Sequence, residues 1–128
     1  MPQQVDVNSV RKGGYLLIDE EPCKVKSVNK SSPGKHGAAK YKIRAEGVFD
    51  GQTRNMVEKG GTKLLTPDIQ KKVGQVVSID GEIAQIMDMD TYQTEEMKLP
   101  EDLDVSEGEE IMYWDIEGRK LVKGKNEN

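Results

Sequence analysis

Lys35 stands between Gly34 and Gly37, with Pro33 before the first glycine, His36 beside the lysine and Ala38-Ala39-Lys40 behind. Glycine takes positive φ without a Cβ penalty and proline holds φ near about −65°, so the segment reads as a tight loop with the lysine exposed. Ser31 and Ser32 lead into it and cannot anchor a core. An ammonium on a stiff loop can serve as a reagent, as a probe of another molecule or as the acceptor of a covalent modification. Lys30, Lys40, Lys42 and Arg44 flank the loop and are the candidate phosphate contacts; their other reading is the solvated face of a hairpin.

Other chemistries find little support. His36 is the single histidine, so neither a histidine-based metal cluster nor a Ser/His/Asp triad with a second imidazole can be assembled. Gly34-Lys35 lacks the GxxxxGK[ST] spacing of a phosphate-binding loop. Asp88, Asp90, Glu95 and Glu96 lack calcium-loop spacing and read as a solvated acidic face. No catalytic, cofactor-binding or metal-ligating residue is therefore expected. The one cysteine, Cys23, cannot form an internal disulfide and has apolar neighbours, which predicts a buried thiol in a reducing compartment. No apolar run approaches the ~20 residues that span a bilayer, and the expectation is a soluble, cytoplasmic protein without membrane contact.

The net charge of −4 conceals an asymmetry. Residues 1–72 hold 14 Lys/Arg against 8 Asp/Glu, a balance of +6, and residues 73–128 hold 5 against 15, a balance of −10. The basic half suits a polyphosphate partner; the acidic half does not. It also has few aromatics for base stacking, so its expected role is docking on protein or touching RNA through few residues.

The elements that must position Lys35 read as β throughout. Tyr15–Ile18, Cys23–Val28, Tyr41–Ala45 and Thr62–Leu65 are the strands of the first half, with a type I′ hairpin turn at Asp50-Gly51. In the second half Val73–Ile79, Glu82–Met87, Thr91–Leu99, Ile111–Ile116 and Arg119–Lys123 follow, with turns at Asp80-Gly81 and Glu117-Gly118. A short helical turn is allowed near Pro100–Asp104, and Gly124–Asn128 should fray. Of Tyr113 and Trp114, one should pack inward and the other face out. About five short strands in each half predict an all-β chain of two small barrels. An SH3-like domain should cover 1–68 and carry the lysine loop, and an OB-fold should cover 69–128, the boundary lying near Pro67 where the charge changes sign.

Gly34-Lys35-His36-Gly37 followed by Ala39-Lys40 resembles the modification loop of the translation factor 5A family, the hypusine-containing proteins of archaeal type. Gly13-Gly14-Tyr15, Pro22-Cys23-Lys24-Val25, Gly47–Gly51 and Met87-Asp88 through Leu99-Pro100 are similar to further family segments. Pro33-Gly34-Lys35 also resembles bacterial elongation factor P, a longer and more distant relative. The resemblance implies that deoxyhypusine synthase transfers an aminobutyl group from spermidine to Lys35, with Pro33, Gly34, His36 and Gly37 supporting that modification. It further implies a ribosome-bound factor, not an enzyme, whose extended side chain reaches the acceptor end of peptidyl-tRNA beside rRNA. There it would promote peptide bonds at stalled sites such as proline runs. The alternative is an unmodified two-barrel RNA-binding or RNA-chaperone protein.

Overall fold

The computed structural model describes residues 1–32 and 39–126. It divides into two compact units, Met1–Asp68 and Ile69–Asn128. The chain is all-β, with an SH3-like first unit and an OB-type second unit. No helix among the described residues is long and apolar enough to cross a membrane.

The first unit is one antiparallel sheet of β1 (Gln3–Asp6), β2 (Tyr15–Ile18), β3 (Glu21–Ser31), β4 (Lys40–Gly47), β5 (Thr53–Lys59) and β6 (Lys63–Thr66). Its order is β1-β6-β2-β3-β4-β5. Strict alternation organises β4: Tyr41, Ile43 and Ala45 are buried while Lys40, Lys42, Arg44 and Glu46 are exposed. Leu16, Val25 and Cys23 complete that core. Burying one Ile or Leu is worth about 1.5–3 kcal/mol, against about 0.5–1.5 kcal/mol for one hydrogen bond, so the alternation sets the register more firmly than the turns do. Cys23 is 0% exposed and its Sγ donates to the Glu21 carbonyl at 3.3 Å. Burial raises the thiol pKa despite the nearby Arg54 guanidinium.

The type I′ geometry expected at Asp50-Gly51 is found instead in the acidic turn at Asp19-Glu20. Asp19 (φ 52) and Glu20 (φ 68) both occupy the left-handed region between the paired Ile18 and Glu21, as a type I′ hairpin requires. At Asp50-Gly51 only the glycine has positive φ, and a longer loop joins the paired Glu46 and Thr53. Arg54 organises that loop by donating to both carboxylate oxygens of Asp50, at 3.1 and 2.8 Å. The Arg54 hydrogen bonds, then the Gln52 N–H, lower the Asp50 pKa to about 2. β1, β5 and a single 3-10 turn at Val7–Ser9 are additions to the strands read from the sequence.

The second unit orders β7 (Ile69–Asp80), β8 (Ile83–Asp88), β9 (Thr94–Lys98), β10 (Glu110–Ile116) and β11 (Arg119–Lys125) as β11-β10-β7-β8-β9. Its two edge strands approach each other, and Lys120 of β11 bridges Glu95 of β9 at 3.4 Å and Asp115 of β10 at 3.2 Å. Val76, Ile86, Ile111 and Tyr113 are buried between them. Tyr113 faces inward, while Trp114 lies between the ammonium groups of Lys71 and Lys123, 4.9 and 4.4 Å from its ring centroid. Pro100–Asp104 makes one turn, with Leu103 N–H donating to the Pro100 carbonyl at 3.1 Å, and no helix. The tail through Asn126 does not fray: Gly124 and Lys125 belong to β11, and Asn126 N–H donates to the Glu110 carbonyl at 3.0 Å.

Candidate nucleic-acid interface

β3 and β4 pair from Cys23↔Gly47 outward to Ser31↔Lys40, forming a long ribbon whose far end carries the lysine loop. Pro33, Gly34, Lys35, His36 and Gly37 lie outside the described residues. The chain re-enters the description at Ala39, whose carbonyl accepts from Gly60 N–H at 2.8 Å. The β5–β6 turn thus braces one side of the loop base.

Along the outer face of the ribbon, Lys40, Lys42 and Arg44 project at every second residue, about 6.5–7 Å apart along the strand. Their β5 neighbours on that face are Lys59, Val57 and Asn55, and their β3 neighbours are Ser31, Asn29 and Ser27. Among the described residues, none of the three cations takes part in an ion pair. By contrast, Arg54 and Lys63 of the same unit are neutralised by Asp50 and Asp6 at 2.8 and 3.2 Å.

Lys30 is placed differently. It stands opposite the inward-facing Tyr41 in the register, and its ammonium lies 5.8 Å from that ring's centroid. The four cations grouped by sequence proximity therefore divide, with Lys30 on the reverse of the ribbon. A one-residue offset decides the face on which a strand side chain emerges. Beside Lys30 on this reverse side are Arg11, Lys12 and Lys26, which the sequence reading left out. Arg11-Lys12 immediately before Gly13-Gly14 was the available signal: two cations delivered by a turn.

In the second unit Asp88 is buried, at 7% exposure, and does not belong to a solvated acidic face. Its Oδ1 accepts from Asp90 N–H at 2.7 Å and Thr91 N–H at 3.0 Å. Its Oδ2 accepts from the Tyr113 hydroxyl and from Lys72 Nζ at 3.4 Å. Burial alone would raise its pKa, but these donors hold it well below the usual carboxylate range. Burial first, then Asp88, raises the Tyr113 pKa. With its lone pairs committed to these donors, Asp88 serves structure.

Residues 1–59 match the family of N-terminal domains described as translation initiation factor 5A-like. Over 125 residues the chain is 42% identical to translation initiation factor 5A of Archaeoglobus fulgidus, covering 96% of this chain and 98% of that one. The protein of the same name from Methanococcoides burtonii is 47% identical over 124 residues, with 95% and 98% covered. The solved structure of the factor 5A from Methanococcus jannaschii superposes with a TM-score of 0.93 at 32% identity, covering 98% of each chain. The chain belongs to the translation initiation factor 5A family.

Proposed function

We propose that this protein is a cytoplasmic translation factor that binds the ribosome and presents a modified Lys35 to the acceptor end of peptidyl-tRNA. Deoxyhypusine synthase attaches the aminobutyl group of spermidine to Lys35, giving a longer side chain with a secondary amine midway and a primary ammonium at its end. The observation that carries this reading is the β3–β4 ribbon. It pairs Ser31 with Lys40 on either side of the lysine segment and sets Lys40, Lys42 and Arg44, which meet no carboxylate among the described residues, in a row along β4. That row supplies sequence-independent attraction to RNA phosphates, which positions the loop without reading bases. The acidic second unit, where Lys72, Lys120 and Lys125 are ion-paired and Lys71 and Lys123 stack on Trp114, docks through few contacts.

The factor is not an enzyme on this reading. Aligning two reactants can remove several kcal/mol from a barrier, so a positioned cation accelerates slow peptide bonds, as at proline runs, without transferring a proton itself. Lys35→Arg keeps the charge and cannot be extended. The variant is expected to keep the wild-type melting temperature and lose stimulation of proline-run synthesis in a reconstituted translation assay. Full stimulation by the arginine variant would overturn the role of the extension.

A further inference from the structure

The reverse side of the β3–β4 ribbon holds a concave surface of about 1000 Å³. Arg11 and Lys12 form one wall, in the segment that follows the Val7–Ser9 turn. Lys26 and Lys30 of β3 form the other, with Tyr41 and Gly60 between the walls. No carboxylate lines it, and none of the ion pairs between described residues involves these four cations. A bulge accounts for one of them: the β3–β4 register shifts between Val25 and Ser27, leaving Lys26 as the extra residue, and bulges re-aim side chains. Two others are held in place. Arg11 Nη1 donates to the carbonyls of Asn8 and Val10 at 2.8 and 3.0 Å, and Lys30 rests against the Tyr41 ring.

The second unit provides the contrast. Its own cavity, of about 170 Å³, contains Lys72 and Lys120, and there each ammonium meets a carboxylate. The two cations of the smaller cavity are thus neutralised, whereas among the described residues the four of the larger basin meet no carboxylate. Four like charges around one concavity repel one another and focus a positive potential into it. That arrangement costs stability unless a polyanion or salt offsets it. The volume exceeds what one small anion fills, and Tyr41 is too buried to stack on a base. Phosphates spaced along a backbone are what such a surface takes.

We propose that this basin is a second phosphate-binding site of the first unit. It holds a segment of RNA backbone separate from the one held by Lys40, Lys42 and Arg44, so the protein bridges two RNA segments across the ribbon. The proposal rests on the reading of that outer row as an RNA contact. It is sequence-independent: losing Lys12 and Lys26 together reduces the slope of log affinity against log salt by about 1.4–1.8 for any RNA.

The test uses the full chain and a short RNA hairpin supplied as two pools, one carrying a donor fluorophore and one an acceptor, at about 50 mM KCl. The wild-type protein is expected to bind two hairpins and give energy transfer between them. Lys12→Ser/Lys26→Ser and Lys42→Ser/Arg44→Ser should each bind one hairpin and lose the transfer. All four side chains are exposed and removing them relieves like-charge repulsion, so neither variant should melt below the wild type. Wild-type protein that binds one hairpin, lost only in the outer-row variant, overturns the basin and leaves the outer row standing. Two-hairpin binding that survives the basin substitutions also overturns it. If no form binds RNA, both readings fall.

Discussion

Lys30 lies over the ring of Tyr41, 5.8 Å from its centroid, while Lys42, one position beyond Tyr41, emerges on the opposite face of the same ribbon. One strand pair thereby offers cations in two directions. On the outer face, Lys40, Lys42 and Arg44 each take part in no ion pair with a described residue. Replacing any one of them with serine should reduce the slope of log affinity against log salt by about 0.7–0.9, equally for unrelated RNA sequences. A titration of tRNA binding across salt concentrations measures this. An unchanged slope would return these residues to the role of solvated surface.

The Asp88–Tyr113 pair carries a stability prediction. Tyr113→Phe keeps the ring and removes a donor from a buried carboxylate, which should cost about 1–3 kcal/mol in denaturant unfolding. Because the folded pKa of Asp88 is depressed, its contribution is complete above the ordinary carboxylate value of about 3.9 and is lost as pH falls below it. Tyr113 has the opposite sign. Its raised pKa gives stability present below about pH 10 that disappears as pH rises further. Asp88→Asn should weaken both dependences, and pH-resolved thermal melts of the two proteins compare them directly.

Gly74 is a packing constraint. A Cβ there would collide with Ile86 Cγ2 and stand 3.2 Å from the Met87 carbonyl and 3.3 Å from Tyr113 Cε1. Gly74→Ala is expected to destabilise the second unit by about 1–3 kcal/mol through overpacking. Gly124→Ala, where nothing lies within 4 Å, is the control and should change little. Chemical denaturation of both variants separates steric cost from the loss of glycine itself.

The legible parts of the fold are those where alternation is clean. Tyr41–Ala45 announces itself because every second residue is a core residue, and Ile111–Tyr113 begins the same way before Asp115 breaks the period. β5 did not, since Arg54 and Glu58 occupy its half-buried positions and erase the period. Asp19-Glu20 reads as an acidic turn but not as type I′, because neither residue is glycine, whereas Asp50-Gly51 has the right letters and the wrong geometry. Asp88 read as solvated because its buried partner Tyr113 is 25 residues away, and pairing at that distance leaves no local trace. Residues 33–38, read from composition as a tight loop, lie outside the described residues. The division of its flanking cations between two faces depended on strand register, which composition does not encode.

The central claim is that Lys35 is an attachment point for a longer cation. Intact-mass and peptide mass spectrometry of protein purified from its native host tests it most directly. The predicted result is one added aminobutyl group, with or without one oxygen, localised to Lys35. An unmodified Lys35 throughout the native pool would contradict the account and leave a two-barrel RNA-binding protein in its place.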